Sequence, residues 1–478
     1  MSSLAILIDF GSTFTKVCAV DLASARLLGR SQSPSTVHSD VREGLLRALV
    51  SLHERHRVFD QTPTNLSLLN DKFVLASSSA AGGLRIVVVG NVPGLTVEAA
   101  NQAALGAGAK VVGATAFKLS EAKLMALEAL RPDMILLTGG VDGGDAETIT
   151  HNARLLAHSS LSVPMVVAGN GAAADAVVSL LQRGGKEVCS VANVMPGAGK
   201  LNVEPAREAI REIFMARITH AKGLDGLAGA VPVVLPTPMA VLHGVRLGAE
   251  GTAGEGGWGD MLVVDVGGAT TDVHSIGEGQ PGGENVIVQS MAEAYAKRTV
   301  EGDLGIRYNA GTILERVGED SLRQDLQGNF GRIAVTAAML RGYVEQLGRD
   351  TSTLPQADWH SAADAVLARA AVDIAIARHV GRRERIVARE GEAWLHYGKD
   401  MRDTRTLIGT GGVFVHNAHA AFILDPREQA DVHVEALRPR QPKMFVDASY
   451  LLYAVGLLAA EYPAVGLRLF QQSMKPVG

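Results

Sequence analysis

Ala5-Ile6-Leu7-Ile8-Asp9-Phe10-Gly11-Ser12-Thr13-Phe14-Thr15-Lys16-Val17 lies without a gap over Met261-Leu262-Val263-Val264-Asp265-Val266-Gly267-Gly268-Ala269-Thr270-Thr271-Asp272-Val273, with Asp, Gly, Thr and Val coinciding at four positions. In both stretches an apolar run of buried-strand length ends in Asp and passes into a turn of small residues. A second echo sets Leu136-Leu137-Thr138-Gly139-Gly140-Val141 beside Ile408-Gly409-Thr410-Gly411-Gly412-Val413 at a similar offset. Two halves built on one plan would produce both echoes, so a duplicated architecture is expected.

Around these stretches, β-branched runs ending in Gly, Asp or Asn alternate with Ala/Leu-rich helical patterns, which predicts a mixed α/β fold. The 478 residues suffice for two to four domains. The first half is expected over residues 1–250, with extra α/β material inserted at about 85–221, and the second over 258–478, with a mainly helical part at about 299–400. Residues 244–259 contain seven glycines and few apolar anchors, which predicts a flexible connection. Arg378, Arg382, Arg383 and Arg385 are expected on a solvated helix.

Hydrophobic residues make up 47% and charged residues 20% of the chain, a balance that excludes disorder, collagen and coiled coil. A net charge of -5 gives no global attraction to nucleic acid or anionic membrane, so neither is expected as a partner. Cys18 and Cys189 are too few for a disulfide framework and are not spaced as a zinc site. With no secretory leader and no apolar run near the ~20 residues of a membrane span, the chain reads as soluble and cytoplasmic.

The turns carry the chemistry. Gly11 lets main-chain N–H groups approach a phosphate, Ser12 and Thr13 donate to it, Lys16 neutralises charge, and Asp9 at the strand tip suits a hydrated Mg²⁺. Taken alone, this copy also reads as a β-hairpin with an Asp/Gly/Ser turn. The second copy, Asp265 followed by Gly267, Gly268, Ala269 and Thr270, changes that balance, because two such turns can grip one polyphosphate from opposite sides. Asp9 and Asp265 are then the candidate metal-side and catalytic carboxylates, able to orient an attacking water. Two rival motifs are weaker. Gly169-Asn170-Gly171-Ala172-Ala173-Ala174 matches a dinucleotide fingerprint but lacks the acidic residue after the next strand. Pro196-Gly197-Ala198-Gly199-Lys200-Leu201 fails as a P-loop at its first Gly and at its metal-binding hydroxyl.

These residues resemble the nucleotide-binding fold shared by actin, the 70-kDa heat-shock chaperones and sugar kinases: a two-lobed actin-like, duplicated ribonuclease-H-like ATPase fold. Residues 9–16 look like its first phosphate loop, 265–272 like its second, and Leu407-Ile408-Gly409-Thr410-Gly411-Gly412-Val413-Phe414 like its adenosine loop. The resemblance therefore implies nucleotide contacts at Gly409, Thr410, Gly411 and Gly412, with ATP–Mg²⁺ between the lobes. Residues 238–244 and 448–459 are similar to its connecting helices. Nearly the whole chain also resembles the GlmL/MutL family of accessory proteins to adenosylcobalamin-dependent mutases and aminomutases. The phrases that carry this are residues 76–84, Asn193-Val194-Met195-Pro196, residues 201–207, and Arg298-Thr299-Val300-Glu301-Gly302-Asp303-Leu304-Gly305. Glu301 within the last phrase is taken as a further nucleotide contact. The resemblance implies an ATP-binding accessory or reactivating protein for such a mutase. Chaperone-like members carry a water-orienting carboxylate where this chain has Thr237. Hydrolysis then falls to Asp9 or Asp265, or is slow and used for switching. A small-molecule kinase of the same fold and a non-catalytic nucleotide-binding assembly protein are the alternatives.

Overall fold

The computed structural model describes residues 3–477 apart from 12, 37–38, 80–83, 220–230, 284, 332–334, 389–390 and 426–433. Ser12 thus lies outside the described residues. The chain divides into two compact units, Met1–Gly244 with Tyr453–Gly466, and Val245–Leu452 with Leu467–Gly478.

Unit 1 begins with the antiparallel strands β1 (Leu4–Phe10), β2 (Phe14–Asp21) and β3 (Arg26–Pro34). Every residue from Ala5 to Phe10 is buried, which is why the apolar run tolerates only Asp9 as a polar member. Helix α1 (Val41–His56) packs Leu45, Ala48, Leu49 and Leu52 inward, and its first turn is capped by the Asp40 carboxylate. Strand β4 (Phe73–Ser78) then returns parallel to β1.

Here the chain leaves the sheet. The insertion runs β5 (Arg85–Val89), α2 (Glu98–Gly106), β6 (Lys110–Thr115), α3 (Glu121–Ala129), β7 (Met134–Leu137), α4 (Glu147–Ala157), β8 (Met165–Val167), α5 (Ala174–Arg183), β9 (Val188–Ser190) and α6 (Glu204–Thr219). Its strands form an all-parallel sheet of order β6-β5-β7-β8-β9, in which Val87, Val89, Ile135 and Leu137 meet Ile149, Leu156 and Leu181 in a core of their own. Strand β10 (Val233–Pro236) rejoins the first sheet beside β4, giving the order β10-β4-β1-β2-β3, and leads into α7 (Thr237–Glu250).

Unit 2 repeats that plan. After the small hairpin β11 (Gly251–Thr252) and β12 (Glu255–Gly256) come β13 (Met261–Val266), β14 (Thr271–Ile276), β15 (Val286–Val288) and β16 (Ala296–Glu301). Helices α8 (Ala310–Val317), α9 (Glu319–Phe330), α10 (Ala337–Arg349) and α11 (Asp358–His379) follow, then β17 (Arg382–Ala388), β18 (Gly391–Tyr397) and β19 (Thr406–Thr410). The chain closes with α12 (Gly412–His416), α13 (Ala420–Leu424), β20 (Val434–Ala436), β21 (Lys443–Asp447), α14 (Leu452–Leu458), α15 (Pro463–Ser473) and β22 (Met474–Pro476). The main sheet has the order β16-β14-β13-β19-β21-β22. In it β13 runs antiparallel to β14 and parallel to β19, as β1 does to β2 and β4. Both units therefore carry the ribonuclease-H-like arrangement of three antiparallel strands continued by two parallel ones.

Three expectations are corrected. The second echo does not belong to the duplication: Leu136 and Leu137 lie in β7 of the inserted sheet, whereas Ile408 lies in β19, whose counterpart is β4. Any buried parallel strand entering a glycine turn has that composition. Residues 244–259 are not a loose connection, since α7 runs through Glu250 and the β11–β12 hairpin follows. Arg382, Arg383 and Arg385 occupy strand β17, not a helix; they pair with Glu384, Glu435 and Glu392, and Arg382 and Arg383 also cover Tyr397 and Trp394.

One buried cation in unit 2 makes a measurable prediction. Lys399 is fully buried and donates to the carbonyls of Ala294 at 2.9 Å and Tyr295 at 2.7 Å. Burial, helped by Lys297 and opposed by Glu293, Asp260 and Glu278, pulls its ammonium down from 10.5 to about 7. Between those two values the unfolded chain binds a proton that the folded chain does not, so stability rises with pH by up to ~1.4 kcal/mol per unit. Below about 7 the cost of burying the charge is fully present. Urea midpoints of the wild type should climb from pH 7 to pH 10 relative to those of Lys399→Met; parallel curves would show that the lysine stays charged.

Candidate functional site

The two Asp-Gly turns have the same construction. Gly11 donates its N–H to Phe14 O at 3.1 Å, and Gly267 donates to Thr270 O at 2.9 Å. A side chain at Gly11 would place Cβ 2.6 Å from the Phe14 carbonyl oxygen, so this tight reversal needs glycine. The register matches as well. Asp9 lies opposite Lys16 on β2 and Ser77 on β4, and Asp265 lies opposite Asp272 on β14 and Thr410 on β19.

Their surroundings differ. Asp9 is 1% exposed and accepts from Lys16 Nζ at 3.1 Å, Ser77 Oγ at 3.1 Å and Thr237 Oγ1 at 2.5 Å. Thr237, which sequence reasoning marked only as a missing carboxylate, is thus a direct partner of Asp9 at the start of α7. In unit 2 the charge at the lysine position is reversed: Asp272 pairs with Arg298 at 2.5 Å and accepts from Thr270 Oγ1 at 3.0 Å. Asp265 itself is part-exposed at the tip of β13.

The second turn is braced from behind by residues 305–309. Ile306 N donates to Gly267 O, Arg307 N and Tyr308 N donate to Gly268 O, and Asn309 Nδ2 donates to Ala269 O. Gly305 passes so close that a Cβ there would lie 2.2 Å from the carbonyl carbon of Ala269. Arg307 is anchored to the buried Asp364 at 2.7 Å, which Tyr343 also holds at 3.0 Å. With its carbonyls tied back, the turn offers the N–H groups of 268–270, which meet no acceptor among the described residues. Successive free N–H groups on a part-exposed turn form an anion-binding concavity.

The adenosine-loop candidate joins this turn within unit 2. Gly411, at φ 106°, places its Cβ direction 2.3 Å from Val266 O and 3.0 Å from Asp265 Oδ1. Thr410 Oγ1 donates to the fully buried Asp447 at 3.2 Å, and Asp447 in turn accepts from Leu451 N and Leu452 N. Asp265, Gly267, Gly268, Ala269, Thr270, Gly409, Thr410, Gly411 and Gly412 are thus gathered at one end of the β13–β19 pair. Asp9, Gly11, Thr13 and Lys16 are gathered in unit 1. Glu301 lies at the end of β16 opposite Thr271, and Arg378 pairs with it at 2.5 Å. Burial pushes its carboxyl up against the pull of Arg378.

Among the described residues no group of three or more His, Cys, Asp or Glu side chains is placed to hold a metal. A hydrated Mg²⁺ keeps several waters and needs only one or two carboxylates beside nucleotide phosphates. Asp265 fits such a role. Asp9, already accepting three hydrogen bonds, fits only at the far side of a metal-bound water. Removing the Thr237 bond is expected to weaken unit 1: Thr237→Val should cost about 1–3 kcal/mol in urea unfolding, because a buried carboxylate loses a charge-assisted donor, and Thr237→Ser should recover most of it.

Two ribonuclease-H-like sheets, each with an Asp-Gly turn at the tip of its first strand, define the actin-like ATPase fold. Within it the chain belongs to the MutL protein family, whose sequence model matches residues 5–474. Protein MutL of Clostridium tetanomorphum is 38% identical over 475 residues, covering 99% of this chain and 99% of that protein. Similar solved structures include nucleotide-free acetone carboxylase, at 12% identity and TM-score 0.36 over 96% of this chain and 71% of that one. Gluconate kinase from Lactobacillus acidophilus is 10% identical with TM-score 0.34, covering 100% of this chain and 93% of that one. No helix among the described residues is long and apolar enough to cross a membrane.

Proposed function

We propose that this chain binds ATP–Mg²⁺ and serves as an accessory or reactivating protein to an adenosylcobalamin-dependent mutase or aminomutase. The observation that carries the nucleotide reading is the turn at 267–270, whose carbonyls are tied back while its N–H groups are offered outward beside Asp265. The turn at 11–16 supplies the matching element of unit 1, with Lys16 as its cation, and 409–412 addresses the nucleoside. Mg²⁺ would neutralise phosphate charge, held through water beside Asp265. Membership of the MutL family supports the mutase partner. Nucleotide acts here as a switch: a γ-phosphate bound by both turns favours a closed arrangement of the units over an open one by its differential affinity, and hydrolysis is slow. Affinity capture from native cells tests the partner. The mutase should be retained with one of ATP and ADP and released with the other; failure to enrich such an enzyme with either nucleotide would overturn the assignment.

A further inference from the structure

The start of α7 sets a hydroxyl on the carboxylate of the first Asp-Gly turn. Strands β1, β4 and β10 run parallel, with Asp9 opposite Ser77 and Pro236 opposite Ser78, so the next residue, Thr237, emerges at the same end of the sheet as the turn at 11–16. Thr237 Oγ1 donates to Asp9 Oδ1 at 2.5 Å, and Ser77 Oγ donates to the same oxygen at 3.1 Å. The two hydroxyls differ in access. Ser77 is fully buried, whereas Thr237 is half-buried. Of the two, Thr237 is the one that a reagent outside the sheet can reach.

A hydroxyl within hydrogen-bond reach of a carboxylate is an oriented nucleophile whose proton acceptor is already in place. Phosphoryl transfer asks little more of a protein than position, neutralisation of phosphate charge and an acceptor for the hydroxyl proton. All three meet here. The buried Asp9 holds the Thr237 hydroxyl on Oδ1, and the Lys16 ammonium stands 3.1 Å from Oδ2. Thr237 also opens a 14-residue helix, whose first backbone N–H groups have no partner within the helix and favour negative charge beside them.

We propose that this chain phosphorylates itself on Thr237, with Asp9 as the base. The inference rests on the nucleotide reading above, since it needs the γ-phosphate of ATP at the turn of residues 11–16. Thr237 Oγ1 forms a bond to the γ-phosphorus, the bond from that phosphorus to the β,γ-bridging oxygen breaks, and ADP leaves with its electron pair. The hydroxyl proton passes to Asp9 and from there to water. In the product a phosphate stands where Oγ1 donated to a carboxylate, so the bond that ties the start of α7 to β1 is replaced by repulsion. The new anion also lies beside the turn that receives the γ-phosphate, so the modified chain discriminates against ATP.

The test incubates the full chain with ATP–Mg²⁺ labelled at the γ-phosphate, removes nucleotide in denaturant, and reads the protein by intact mass and peptide mapping; calorimetry measures ATP binding on the same preparation. The expected result is one acid-stable phosphate per chain, on Thr237, formed at a rate per chain that does not change with protein concentration. Thr237→Val should carry none. Thr237→Ser keeps a hydroxyl on Asp9 and should carry the phosphate as phosphoserine, which keeps the test decisive if the valine variant fails to fold. Asp9→Asn keeps the shape of the side chain, loses the proton acceptor and should slow transfer about 100-fold. Refolded free of nucleotide, the modified chain should bind ATP–Mg²⁺ at least tenfold more weakly than the unmodified chain. ATP binding with no phosphate on Thr237 overturns this inference and leaves the nucleotide reading standing, whereas absence of ATP binding overturns both. An acid-labile phosphate on Asp9, or undiminished ATP affinity in the modified chain, also overturns the inference.

Discussion

Titrated with ATP–Mg²⁺, Asp265→Ala is expected to lose affinity by about 100-fold while unfolding close to the wild-type midpoint. Asp265 is part-exposed at the end of a strand otherwise buried from Met261 to Val264, so its carboxylate contributes less to the core than to what lies beyond the strand tip. The same substitution at its partner in the duplication should read differently. Asp9 is buried and holds Lys16, Ser77 and Thr237, and removing it leaves an ammonium and two hydroxyls without their acceptor. Breaking a buried pair from one side costs about 3–5 kcal/mol, so Asp9→Ala should first lower the stability of unit 1. Isothermal titration and urea melts of the two variants separate these outcomes. Equal affinity losses at equal stability would mean that the two carboxylates do the same work, against the difference in burial.

The duplication was legible because Asp, Gly and Thr recur at fixed spacing. A strand of period two must hold that spacing for the aspartate to emerge at its tip and the threonine to return facing the core. What the spacing concealed is the pairing across strands. Lys16 and Asp272 occupy one position of the plan with opposite charge, and only the third partner explains the swap: Asp9 answers Lys16, and Arg298 from β16 answers Asp272. The family phrase at 298–305 reaches only the first residue of the 305–309 brace, because nothing local says that a backbone some 40 residues on will tie back the carbonyls of 267–269. The Arg-rich stretch departs from its expected helix for a related reason. Arg382, Arg383 and Arg385 carry helix-compatible charges, yet the groups that hold them extended, Glu435 and Trp394 among them, come from neighbouring strands. Tertiary pairing overrode local propensity there.

Gly411 and Gly412 are adjacent and should fail in different ways, which makes them the sharpest probe of the nucleoside turn. At Gly411 the backbone is left-handed, with φ 106°, and a Cβ would lie 2.3 Å from Val266 O. Gly411→Val therefore incurs both backbone strain and a collision with a main chain that has no rotamer to yield. The turn must shift away from Asp265, and nucleotide binding should be lost together with about 3 kcal/mol or more of unit 2 stability. At Gly412 nothing lies within 4 Å of the added carbon and φ is unexceptional, so Gly412→Ala should fold as the wild type. Its methyl group projects into open space beside Thr410 and Gly411. If the nucleoside occupies that space, as the proposed function requires, Gly412→Ala weakens ATP binding roughly tenfold without any change in the urea midpoint. A folded Gly412→Ala with undiminished ATP affinity would remove this turn from the nucleotide site and leave only the phosphate turns to support it.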